Sequence, residues 1–125
     1  GVEVASGEYV VFVDADDFVG IDFLYYLDRA LKLGKNPDVG YYNVYRWDGP
    51  TSTTRYVLRT KLQENEIGNG MITFRRDLPV SYEGYDGYKH DWRFIKGELL
   101  AKTKNVKELP TMEYYVCHIP GVIDV

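Results

Sequence analysis

Tyr9-Val10-Val11-Phe12-Val13-Asp14-Ala15-Asp16-Asp17 is the stretch that decides how this chain folds. It opens on a continuous apolar run rich in β-branched and aromatic side chains, which predicts a strand over 9–13 buried on both faces. The run stops at a cluster of aspartates. Carboxylates at the C-terminal end of a strand sit where ligands bind in open α/β sheets. Alternate aspartates can hold a hard divalent cation, and that cation neutralises phosphate oxygens. Without one, clustered carboxylates repel a phosphate and raise one another's pKa. The plainer use of the same residues is capping, by Asp17 or Asp22, of the helix that follows.

Working outward, Ile21, Leu24, Leu27 and Leu31 recur at helical steps and predict an amphipathic helix over 20–33, with Asp28, Arg29 and Lys32 elsewhere on the wheel. Asp22 lies near its start, where a carboxylate suits the helix dipole, and Gly34 is its stop signal. Pro37 breaks the chain before a strand over 39–47. Val39, Tyr41, Asn43, Tyr45 and Trp47 share one face of it, and Tyr42, Val44 and Arg46 the other. Asp48-Gly49-Pro50 is a turn signal, after which the β-prone 53–60 pairs back as a hairpin. A polar loop over 61–69, a short strand over 70–75 and an irregular Tyr-, Gly- and Pro-rich loop over 78–89 come next. A second helix over 91–102 turns Trp92, Ile95 and Leu99 inward with Phe94 or Leu100, and two short strands over 106–109 and 112–117 flank Pro110. The order β-α-β-β-β-α-β-β is that of an α/β fold, a mixed sheet with flanking helices.

With 125 residues, 45% hydrophobic and 27% charged, the chain suits one globular domain. Its net charge of −4 is spread among interspersed acids and bases, unlike the basic face of a nucleic-acid binder. No apolar run approaches the roughly 20 residues of a transmembrane helix, and no leader pattern opens the chain. Cys117, the single cysteine, lies in the apolar run Tyr114-Tyr115-Val116-Cys117. It reads as a small buried hydrophobe, which fits a reduced, cytoplasmic setting; any membrane association belongs to a longer parent chain. The 12 tyrosines suit half-buried strands, and also surfaces that face sugars or proteins.

Of two familiar acidic motifs, the EF-hand fails on spacing and the phosphatase turn matches only in part. An EF-hand loop beginning at Asp14 needs Gly at its sixth position and Glu at its twelfth, where the chain has Val19 and Tyr25. The haloacid-dehalogenase-type phosphatase turn, in which Asp14 would be the nucleophile, carries Thr or Val where this chain has Phe18.

The segment 5–17, Ala-Ser-Gly-Glu-Tyr-Val-Val-Phe-Val-Asp-Ala-Asp-Asp, resembles the central signature of family-2 glycosyltransferases, roughly A-x-G-E-Y-hydrophobic-x-F-hydrophobic-D-S-D-D. Met71-Ile72-Thr73-Phe74-Arg75-Arg76 is similar to that family's strand ending in F-R-R. Tyr82-Glu83-Gly84-Tyr85-Asp86 is similar to its G-x-x-D/E turn, and His90-Asp91-Trp92-Arg93-Phe94 to its E-D-W helix start, with His90 in place of the Glu. The block from Lys107-Glu108-Leu109-Pro110 to Tyr114-Tyr115-Val116-Cys117-His118 resembles its late strand pair ending in Y-Y-x-x-H.

The resemblance implies a GT-A fold and transfer of a sugar from a nucleotide-sugar, a UDP-sugar being the first guess, to a glycan or other acceptor hydroxyl. It implies Asp14 near the ribose or donor sugar, and Asp16 holding Mn²⁺ or Mg²⁺ with His118 completing the metal site. Asp91 would be the general base of an inverting enzyme, with Tyr85, His90 and Trp92 on the acceptor side. The family's first half, which begins V-S-V-I-I-P-x-Y-N and binds the nucleotide base, has no counterpart in residues 1–125. The expected architecture is therefore a truncated GT-A sheet, for which inactivity in isolation is one expectation, with an uncovered edge that invites a homodimer. Two rivals remain: a non-catalytic binding or assembly domain derived from this half-fold, and a phosphatase-like hydrolase using Asp14.

Overall fold

The computed structural model describes residues 8–14, 16–47, 49, 56–64, 66–81 and 90–117. Among them are eight strands in two four-stranded mixed sheets. β1 (Tyr9–Val11), β3 (Val39–Tyr41), β6 (Ile72–Arg75) and β7 (Val106–Glu108) form the first sheet in the order β1-β6-β3-β7. β2 (Phe18–Val19), β4 (Val44–Trp47), β5 (Tyr56–Leu58) and β8 (Tyr114–Cys117) form the second in the order β2-β8-β4-β5. β6 is antiparallel to both β1 and β3, and β3 is parallel to β7. β1, β3 and β7 therefore run the same way, and their C-terminal ends share one end of the sheet.

The expected α/β class holds, but the single sheet divides in two. The strand expected over 39–47 is split at Tyr42 and Asn43. The Leu109 N–H donates to the Tyr41 carbonyl (2.8 Å), and the Met112 N–H donates to the Asn43 carbonyl (3.0 Å). The Asn43 side-chain oxygen accepts the Thr60 N–H (2.9 Å), so a side chain replaces a ladder bond where the chain crosses between sheets. The two-faced pattern survives the split. Val39 and Tyr41 join one core, while Tyr42 and Val44 join the other. The hairpin expected from 53–60 is present as β5 against β4, with Val44 opposite Leu58 and Arg46 opposite Tyr56.

α1 (Phe23–Leu33) starts later than its pattern suggests, and its buried face is Phe23, Leu27, Ala30 and Leu31. Ile21, outside the helix, is 101% exposed, and Leu24 is 68% exposed; neither enters the core. Each large side chain on the buried face contributes about 1.5–3 kcal/mol. Asp22 occupies the N-cap position without a side-chain cap bond. Gly34 keeps an ordinary φ of −79°, and the left-handed backbone falls instead on Lys35 (φ 63°) and Asn36 (φ 52°) just before Pro37. The second helix is α2 (His90–Phe94), and it continues as π-helical turns over Ile95–Leu100. Those wider turns bring the adjacent pair Phe94 and Ile95, together with Leu99, into the core.

α1 and the second helix cover opposite faces of the first sheet. On β1, Tyr9 and Val11 face the α1 core, and Val10 faces the core of Phe74, Phe94, Ile95 and Leu99. β1 itself is shorter than the run predicted over 9–13, and Val13 is 49% exposed. Among the described residues the buried Tyr42 hydroxyl has no hydrogen-bond partner, and burial raises its pKa. No helix among the described residues is long and apolar enough to cross a membrane.

Candidate functional site

The acidic turn is held by aromatic packing beneath it and by a tyrosine beside it. Phe12, just past β1, packs against Phe74 (ring centroids 5.9 Å) and edge-on to Phe94 (6.3 Å). That contact joins the end of β1 to the helix that carries Asp91. The Asp17 N–H then donates to the Asp14 carbonyl (3.0 Å), closing a tight turn.

Tyr114, fully buried on β8, fixes the turn. Its hydroxyl donates to Asp17 Oδ2 (2.7 Å) and accepts the Asp14 N–H (3.1 Å), while Asp17 Oδ1 accepts the Cys117 N–H (3.1 Å). Burial foremost, and then the Asp17 carboxylate, raise the Tyr114 pKa, so the phenol stays protonated as a donor. Burial, and then Asp17 and Asp16, likewise push the Cys117 thiol up, although the side chain is half-buried and not the fully buried one expected.

The three aspartates are thereby sorted. Asp17 is half-buried and committed to β8, whereas Asp14 and Asp16 are exposed. The exposed pair are hard oxygen donors and suit a divalent cation that shares phosphate oxygens. Among the described residues no group of three His, Cys, Asp or Glu side chains gathers to hold a metal. His118 and Tyr85 lie outside the described residues, as does the side chain of His90.

Tyr114 in turn rests on glycine. A Cβ on Gly70 would lie 2.5 Å from the Tyr114 ring and hydroxyl, so only glycine lets the ring close over the backbone. Gly70 belongs to the 3₁₀ turn Asn69–Met71 that leads into β6. Two residues earlier, a Cβ on Gly68 would lie 3.3 Å from Asp91 Oδ2. A continuous run of contacts thus links the acidic turn through Tyr114, Gly70 and Gly68 to Asp91. Asp91 is half-buried in the first turn of α2, and Trp92 is half-buried against the Phe74–Phe94 core.

No family model matches this chain, and none of the curated proteins does. The case for the site is its geometry. Sequence reasoning singled out Asp14, Asp16 and Asp91 as candidates but missed Tyr114, Gly68 and Gly70, which link the segments that carry them. The Gly68-Asn69-Gly70 triplet was the available signal, since paired glycines mark places where other atoms approach the backbone closely.

Proposed function

We propose that the chain is part of a GT-A-type, family-2-like glycosyltransferase domain that moves a sugar from a nucleotide-sugar to an acceptor hydroxyl with inversion. The observation that supports this is the run of contacts from the Asp14–Asp17 turn to Asp91. It joins the turn that carries Asp14 and Asp16 to Asp91, on elements packed together at one end of a sheet. Asp16 would hold Mn²⁺ or Mg²⁺ with Asp14 toward the ribose or donor sugar, and the ion, when bound, would supply charge neutralisation for the donor diphosphate.

Asp91 acts as the general base. The acceptor oxygen attacks the anomeric carbon while the bond from that carbon to the diphosphate breaks. The hydroxyl proton passes to the Asp91 carboxylate, and the nucleoside diphosphate leaves.

A Mn²⁺ titration with and without UDP tests the donor side. Saturable Mn²⁺ binding is expected, strengthened by UDP and abolished in Asp16→Asn. Equal binding in wild type and Asp16→Asn would remove the metal role of the turn.

One observation favours assembly as a second reading. Among the described residues β1 pairs only with β6, and its alternate backbone groups, at Tyr9 and Val11, face away from β6. Such an edge accepts another strand, and a second copy of the chain is the simplest supplier. Sedimentation at high micromolar concentration is expected to give a dimer that Val11→Lys weakens; a monomer throughout would end this reading.

A further inference from the structure

Beyond the acidic turn, the same end of the sheet carries a basic cavity. Tyr41 and Glu108, the last residues of β3 and β7, are opposite one another in parallel register. With Asn43, Arg59, Thr60 and Lys61 they wall a cavity of about 360 Å³. Open α/β sheets bind ligands outside the carboxyl ends of their strands, which is where this cavity lies.

The 59–61 segment is pinned there. The Thr60 N–H donates to Asn43 Oδ1 (2.9 Å), and its hydroxyl donates to the Tyr42 carbonyl (2.8 Å). Arg59 and Lys61 flank this anchored threonine and are both exposed. Among the described residues neither side chain has a hydrogen-bond or ion-pair partner. Arg59 also lines an adjoining cavity of about 370 Å³ together with Gly68, the glycine against which Asp91 lies.

We infer that Arg59 and Lys61 form an oxyanion subsite that holds a phosphate or carboxylate group of the acceptor. Naming the acceptor as the ligand's bearer rests on the glycosyl-transfer reading; the binding of an anion does not. A guanidinium beside an ammonium offers several charge-assisted donors to a small tetrahedral or planar anion. Glu108 opposes them and lowers the net positive charge, so binding of a simple anion is weak and its affinity responds to this one carboxylate.

The test follows amide shifts of residues 59–61 in ¹⁵N-labelled full-length chain, in metal-free buffer. Inorganic phosphate and glucuronate are titrated separately, with neutral glucose as the control. Phosphate, glucuronate or both are expected to give saturable shifts that glucose does not. The apparent Kd should rise about tenfold in Arg59→Gln and in Lys61→Gln, the loss of one charge-assisted contact. It should fall in Glu108→Gln, a gain that general damage to the fold would not produce. Saturation by phosphate alone assigns a phosphorylated acceptor, and saturation by glucuronate alone a uronic-acid acceptor.

Absence of saturation by either anion, or unchanged affinity in all three variants, would overturn the subsite. Mn²⁺–UDP titration of the same samples separates the two claims. Loss of anion binding with metal–UDP binding intact defeats the subsite only. Anion binding without metal–UDP binding supports the subsite and defeats the transferase reading.

Discussion

Asp17→Ala is expected to lower stability by about 2–4 kcal/mol, because it removes two hydrogen bonds to a charged acceptor and leaves the Tyr114 hydroxyl and the Cys117 N–H without it. For a domain of this size that corresponds to a fall in Tm on the order of 10 °C. Asp16→Ala, one position away and exposed, is expected to change stability by no more than about 0.5 kcal/mol. Urea denaturation of the two variants side by side measures the contrast. Equal stabilities would show that the lock between the acidic turn and β8 does not carry the energy assigned to it. The same pair should differ in the opposite sense in metal binding, where the loss falls on Asp16.

Asp91→Asn is the second large effect. An amide cannot take the acceptor proton, so transfer is expected to slow roughly 10²–10⁴-fold, the usual contribution of a positioned base. The measurement is single-turnover sugar transfer with a donor and acceptor that the wild-type chain uses, alongside Mn²⁺–UDP affinity. The affinity should be unchanged, because Asp91 stands against Gly68 and takes no part in the carboxylate pair. A rate within tenfold of wild type would remove Asp91 from the chemistry and leave it as a first-turn helix carboxylate. Together with the Asp16→Asn titration, this separates donor binding from acceptor activation.

Much of the local structure was legible from residue pattern. The apolar run before the aspartates and the hairpin return of β5 follow from strand composition and turn signals, and the second helix from its apolar spacing, although π-helical turns set which residues it buries. Where pattern misled, a specific contact explains it. Ile21 and Leu24 fit the helical period, yet α1 begins only at Phe23, and its buried side is the one that meets Tyr42, Leu109 and Tyr114. The strand over 39–47 reads as continuous, yet the Asn43 side chain takes the Thr60 N–H and lets the chain pass from one sheet to the other.

By itself, the sequence determined the α/β class, the apolar strand that precedes the carboxylates, and which residue types were available for the proposed metal, base and acceptor roles. Those properties are local: side-chain period, breaker residues and the clustering of like charges all lie within a few positions of one another. Only the tertiary structure decided which aspartate is structural and which are exposed. That depends on Tyr114, which lies 97 residues from the Asp17 it binds. Only the fold could bring Gly68 beneath Asp91 and Gly70 beneath Tyr114, or set Arg59 and Lys61 at the ends of β3 and β7. Close packing between distant segments makes those assignments, and it leaves no local trace in the chain beyond a pair of glycines.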